Sequence, residues 1–240
     1  MLSAGERQQS SVIDPARTNL KVTVAALNHS HTTAPSSSET VSMSPHSLQH
    51  IWVVTGPAGS GKSTVGRSLQ QALGVPFLEG DDFHPPSNKA KMSTGTPLTD
   101  ADRWDWLISL RSAATTLLTP NPNNPSSPAP AGVVVACSAL KKKYRDVMRV
   151  AAYGSPNVRI HFVYLKLDRT ELYARVSARQ AHYMKPGMVE SQLRDLEEPG
   201  QGEWDVLTVD VRGTAGDVQR EVMRVVEGVM VAGGLGGGEA

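Results

Sequence analysis

The chain is 240 residues long, with a formal net charge of +1 and 39% hydrophobic residues. That length suits one domain of ordinary size with extra segments, and the near-neutral balance excludes recruitment to nucleic acid or an anionic membrane by bulk charge. The lone cysteine, Cys137, excludes an internal disulfide, and no apolar run reaches the length of a membrane span.

Residues 1–49 are rich in Ser, Thr, Ala and Gln. They hold too little apolar surface to offset chain entropy and are expected to form a disordered extension. No basic-then-apolar leader opens them, and Arg7, Arg17 and Lys21 are mixed with Glu6, Asp14 and Glu39, so the expected location is cytoplasmic. The folded domain is expected over 50–231, and a flexible Gly-rich tail over 232–240.

The apolar run 51–55 reads as a strand. Gly56-Pro57-Ala58-Gly59-Ser60-Gly61-Lys62-Ser63 follows it, and Thr64 lies in a helix predicted over 62–73. Strand, Gly-rich turn and helix in that order form a phosphate-binding P-loop. Gly56, Gly59 and Gly61 let the backbone approach a polyphosphate, and the helix start adds positive potential. Lys62 would reach the β- and γ-phosphates of a nucleotide, and Ser63 would hold Mg²⁺ through its hydroxyl.

A strand at 75–79 leads to Glu79-Gly80-Asp81-Asp82-Phe83-His84-Pro85-Pro86. A carboxylate at a strand end can orient an attacking hydroxyl and take its proton. Asp81 is nearer the strand end than Asp82 and is the chosen residue. His84 precedes two prolines and sits in a rigid, non-helical turn, where substrate contact and an ordinary loop role are equally open. Lys91 and Arg103 could bind a carboxylate or phosphate, although spacing alone reads them as surface charge. Thr99 or Asp100 can cap a helix predicted over 101–118.

Residues 119–131 are dense in Pro, Asn and Ser and read as a loop inserted before a strand at 132–137. Then come Ser138-Ala139-Leu140-Lys141-Lys142-Lys143-Tyr144-Arg145, within a helix predicted over 140–152. It is either a solvated basic helix or a helix start that helps bind an anion. A strand at 158–165 precedes a helix at 168–180 that carries Arg175 and Arg179. These lead to a short segment suited to a lid, which would exclude water and neutralise the phosphoryl group in flight. A helix at 188–197, a strand at 206–210 and a helix at 214–231 complete the chain. The alternation implies a parallel sheet covered on both faces, with ligands at the carboxyl ends of its strands.

Residues from about 51 to 230 resemble the thermoresistant-type gluconokinases. The resemblance rests on the P-loop and on four further segments. These are Gly80-Asp81-Asp82-Phe83-His84-Pro85; Lys91-Met92 with Gly95-Thr96-Pro97-Leu98-Thr99-Asp100-Ala101-Asp102-Arg103; Cys137-Ser138-Ala139-Leu140-Lys141-Lys142 with Tyr144-Arg145-Asp146; and His182 with Ser191-Gln192-Leu193 and Leu196-Glu197-Glu198-Pro199. It implies an adenylate-kinase-like α/β fold with a five-stranded parallel sheet in the order 2-3-1-4-5. It also implies phosphoryl transfer from ATP, with Mg²⁺, to the C6 hydroxyl of D-gluconate, feeding the pentose phosphate route. On that model Lys62 and Ser63 hold phosphate and metal, and Asp81 orients the hydroxyl. His84, Lys91 and Arg103 serve the substrate, and Arg145 and Arg179 serve the phosphoryl group. A homodimer stays open, and neither nucleic acid nor membrane is implied.

Two departures bear on the site. Asp105-Trp106-Leu107 stands where the family usually has Pro-Trp-Leu, so the helix near Arg103 is expected to start or bend differently. Ala181-His182-Tyr183 replaces Gly-His-Phe, which narrows the backbone freedom of the lid. A kinase for another small hydroxyl acceptor and a non-catalytic nucleotide-binding module are the alternatives. Intact Lys62, Ser63, Asp81 and Arg145 argue against the second.

Overall fold

A computed structural model describes residues 48–120, 128–178 and 186–235. The expected disorder before Leu48, the interior of the 119–131 loop, the lid with Arg179, and the last five residues lie outside the described residues.

Five parallel strands form one sheet in the order β2-β3-β1-β4-β5. They are β1 (Gln49–Thr55), β2 (Phe77–Glu79), β3 (Gly132–Ala136), β4 (Val158–Lys166) and β5 (Val206–Asp210). The β3 strand is buried along its whole length, which explains its uninterrupted apolar sequence: both faces are covered.

Alternation distributes these side chains between two cores. Ile51, Val53, Val133 and Val135 pack with Leu107, Leu110 and Met148 of α3 (Asp100–Leu117) and α4 (Lys142–Tyr153). Trp52, Val54 and Val134 pack with residues of α1 (Lys62–Leu73) and α7 (Ala215–Leu235), among them Val65, Leu69, Val222 and Val226. Each such side chain contributes about 1.5–3 kcal/mol by burial. The sheet is therefore rigid, and its carboxyl edge can hold loops in register.

Several elements differ from expectation. A 3₁₀ turn spans Gly80–Phe83, and α2 spans Pro86–Thr94, a segment to which sequence reading gave no element. Pro86 in the first helical turn and Gly95 at the end, with φ 82°, mark that helix at both ends. The α3 helix runs unbroken from its Thr99 cap through Arg103, and Asp105 is exposed on it. The α7 helix continues through Gly233 to Leu235 instead of giving way to a tail at residue 232. Each glycine there costs about 1 kcal/mol of helix propensity, which a long, already nucleated helix tolerates.

The described ends of the 119–131 loop lie at the amino edge of the sheet. Gln49 begins β1, inside the segment expected to be disordered. Its side-chain amide donates to the carbonyls of Leu118 and Pro130, both at 2.9 Å, and pins the two ends of the loop together. That edge is opposite the P-loop.

Candidate active site

The P-loop joins β1 to α1 and lines a cleft of about 320 Å³. Ala58, Gly59, Gly61, Lys62, Ser63 and Thr64 reach its surface, while Gly56, Pro57 and Ser60 are buried within the loop itself. Gly61 caps α1 without a side chain, leaving the first amides of the helix for an anion. Gly59 has φ 88°, and a Cβ there would lie 2.7 Å from Val176 Cγ2, so both conformation and space require glycine. The Val176 side chain belongs to α5 (Arg169–Ala178), which therefore packs directly on the loop. Lys62 Nζ donates to the Pro57 carbonyl at 3.0 Å.

The end of β2 faces this loop across the cleft. Glu79 and Asp81 both line it, and Asp82 does not. Gly80 between them passes so close to β3 that a Cβ would lie 2.4 Å from the Ala136 carbonyl oxygen. Trp106 of α3 then fixes the turn by donating to the Gly80 carbonyl at 2.7 Å. The strand end is thus clamped, and Asp81 is carried on a short 3₁₀ turn aimed into the cleft.

His84 is extended, as its following prolines require, and also lines the cleft. Its ring stacks on Trp106 with centroids 4.2 Å apart. The Asn88 side-chain amide donates to the Asp102 carbonyl at 2.6 Å, and the same nitrogen lies 3.4 Å from His84 Nδ1. That assigns Nδ1 as an acceptor and leaves the proton on Nε2. Burial pushes the imidazole pKa down to about 4. His84 is therefore a neutral hydrogen-bond donor at physiological pH.

Arg103 is buried in the cleft wall. It donates to the Leu98 carbonyl at 3.1 Å, faces Asp195 at 3.4 Å, and lies over the Tyr144 ring. Its Nε is buried with no hydrogen-bond partner among the described residues. Leaving that buried N–H unpaired costs about 1–3 kcal/mol.

Lys91 is not in the cleft. It pairs with Asp102 at 2.6 Å and is 43% exposed. The missed helix explains this correction. On α2, Lys89 and Met92 are three apart and share the face that lines the cleft, whereas Lys91 lies about 200° around the axis from Lys89. Asp102 serves twice, since its other oxygen accepts from the Thr99 amide in a capping box.

Arg145 is also corrected. Its guanidinium is 2% exposed and makes a two-point ion pair with Glu203, both contacts at 2.7 Å. Its remaining donor bonds the carbonyls of Leu140 and Glu197. Arg145 does not line the cleft. It ties α4 to the segment before β5, with Arg149 bridging Glu203 and Asp205 beside it. The lysine run before it is consumed similarly: Lys141, Lys143 and Tyr144 all donate to Asp100, and Lys142 pairs with Asp146. Ser138 does reach the cleft, at a turn where Ala139 has φ 35°.

The remaining wall comes from α5 and α6 (Pro186–Asp195), through Val176, Ser191 and Gln192. Arg175 turns away and donates to the Val211 carbonyl. Glu79, Lys89, Ser138, Ser191 and Gln192 are cleft residues to which sequence reasoning gave no role. For Lys89 the signal was the Pro86…Gly95 frame of α2; for the others it was only their position at strand ends or in a motif.

A family model described as an AAA domain matches residues 51–199. A Schizosaccharomyces pombe protein named "Probable gluconokinase" is 41% identical over 178 residues, covering 74% of this chain and 88% of the relative. The thermoresistant gluconokinase of Escherichia coli K12 is 41% identical over 162 residues, covering 68% and 85%. The chain belongs to the gluconokinase family. A crystal structure of a gluconokinase from Sinorhizobium meliloti superposes with a TM-score of 0.63 at 37% identity, covering 78% of this chain and 98% of that one. Among the described residues, no helix is long and apolar enough to cross a membrane.

Proposed function

We propose that this gluconokinase-family chain transfers the γ-phosphoryl group of ATP to the C6 hydroxyl of D-gluconate, giving 6-phospho-D-gluconate and ADP. The observation that carries the reading is the shared cleft: P-loop residues Lys62 and Ser63 line one side, and Asp81, His84 and Arg103 the other. At about 320 Å³ it is near the lower end of small-molecule sites.

The P-loop amides and Lys62 bind the phosphates. Ser63, with Glu79 and Asp81 in the same cleft, offers the hard oxygen donors that Mg²⁺ prefers. Bound Mg²⁺ would neutralise charge on the β- and γ-phosphates. Asp81 accepts a hydrogen bond from the C6 hydroxyl and takes its proton as the new P–O bond forms and the bond to ADP breaks. Under-bonded Arg103 takes the gluconate carboxylate, and His84 donates from Nε2 to a substrate oxygen. Arg179 is retained as a phosphoryl contact on the family resemblance alone.

The test is ADP release by the purified protein with ATP and Mg²⁺, across D-gluconate, shikimate, AMP and no acceptor. A response to gluconate alone is expected. Turnover with another acceptor, or nucleotide binding without turnover, would overturn the reading.

A further inference from the structure

One side chain of α6 hydrogen-bonds to the P-loop. Gln192 Oε1 accepts a hydrogen bond from the Ala58 amide at 2.7 Å, across 134 residues of sequence. A backbone N–H can only donate, so the amide orientation of Gln192 is fixed, with oxygen toward the loop and NH₂ away from it. Among the described residues that NH₂ group makes no hydrogen bond, yet it is not a buried unpaired atom, so it stays accessible to solvent. Gln192 lines the same cleft as Lys62, Ser63 and Asp81.

The placement has a second consequence. The Pro57 carbonyl and the Ala58 N–H belong to one peptide group. Lys62 Nζ holds its oxygen at 3.0 Å while Gln192 holds its nitrogen at 2.7 Å. Rotating that peptide would break both bonds, so Gln192 fixes the loop beside the phosphate-binding lysine. The helix that carries Gln192 is itself anchored. One turn on, Asp195 pairs with Lys141 at 3.2 Å and with Arg103 at 3.4 Å. The Gln192 amide is thus held at the boundary between the phosphate cradle and the acceptor wall.

We propose that Gln192 contacts the transferring phosphoryl group, donating from Nε2 to a γ-phosphate oxygen while Oε1 locks the Ala58 peptide. This deepens the kinase reading and rests on it. An anionic oxygen is the acceptor such a donor favours, and a preorganised donor at the phosphoryl group lowers the barrier without reorganisation.

Two substitutions separate the halves of the role. Gln192→Glu keeps an oxygen for Ala58 but replaces the donor with negative charge. Gln192→Met keeps the shape and removes both bonds. Affinities for Mg·ADP and Mg·AMP-PNP are measured by calorimetry on wild type and both variants, with kcat and KM alongside. For Gln192→Glu the expected result is AMP-PNP affinity reduced about tenfold or more and ADP affinity within about threefold. Its kcat should fall by about 10² with the gluconate KM little changed. Gln192→Met should weaken both nucleotides, AMP-PNP more than ADP. Equal losses for the two nucleotides in Gln192→Glu, or no loss, would overturn the phosphoryl contact and leave Gln192 as a brace for the loop. The nucleotide comparison needs no acceptor. If wild type ignores gluconate, the acceptor assignment falls while the Gln192 claim is still decided.

Discussion

Removing the charge of Glu203 separates a structural role for Arg145 from a catalytic one. Glu203 accepts from Arg145 Nε and Nη2 and from Arg149, with all three contacts at 2.7 Å. The Arg145 and Glu203 side chains are 2% and 6% exposed. Breaking a buried pair by deleting one partner costs about 3–5 kcal/mol, because the other charge is left buried. Glu203→Gln retains one acceptor oxygen and belongs at the lower end, about 3 kcal/mol. At about 2–4 °C per kcal/mol for a domain of this size, the melting temperature should fall by about 6–12 °C. The pH dependence changes as well. Hydrogen bonds from Arg145 and Arg149 hold the Glu203 carboxyl down at about 2, against the opposing effect of burial. A depressed carboxyl stabilises the fold above its unfolded pKa of about 4.3, and that stability is lost as pH falls toward 2. Glu203→Gln should flatten this part of the acid limb. Thermal melts between pH 3 and 7, with kcat measured at 20 °C, test both points. Arg145→Met, assayed at the same temperature where it stays folded, should keep kcat within about threefold of wild type. A variant with an unchanged melting temperature and kcat lowered by about 10² would refute the reasoning and return Arg145 to the chemistry.

Other consequences follow from the same geometry. Lys91→Ala removes an exposed ion pair of about 0.2–1 kcal/mol, so steady-state kinetics should stay within about twofold of wild type. A tenfold rise in gluconate KM would put Lys91 back in the site. Arg103→Met should raise gluconate KM about tenfold or more and leave ATP KM nearly unchanged, in a direct comparison of the two saturation curves. For His84, a folded pKa near 4 lies below the unfolded value of about 6.5. The unfolded state therefore binds more protons between those values, and stability rises with pH across that window. The His84 imidazole carbon shifts should stay in their neutral range from pH 8 to 5, and a midpoint near 6.5 by NMR would contradict the buried, Trp-stacked assignment. Deleting residues 1–47, which spares Gln49, should leave kcat/KM unchanged, and a large loss would make that segment part of the active unit.

Much of this architecture is legible in the chain. The apolar runs at 51–55 and 132–137 are buried on both faces, and the P-loop glycines mark the turn between strand and helix. Asp81 could be chosen over Asp82 because a residue nearer the strand end inherits the direction of the sheet edge. What sequence did not disclose depends on pairings between distant residues. Nothing local to Arg145 indicates that Glu203, 58 positions away, will claim its guanidinium. Lys91 lies outside the cleft for a different reason: with no element read at 86–94, nothing ranked its lysines, whereas the helix from Pro86 to Thr94 selects Lys89 by its period. Gln192 lies in the Ser191-Gln192-Leu193 segment of the resemblance, but only its contact with Ala58 gives it a place in the site.

The central claim is that the cleft brings a gluconate hydroxyl to Asp81 beside the P-loop. Single-turnover phosphoryl transfer from ATP to gluconate by Asp81→Asn, with ATP affinity measured in parallel, tests it most directly. Transfer slowed by about 10² or more, with ATP affinity within about threefold of wild type, is the predicted result. Transfer within a few-fold of wild type would contradict the account and remove Asp81 from the reaction.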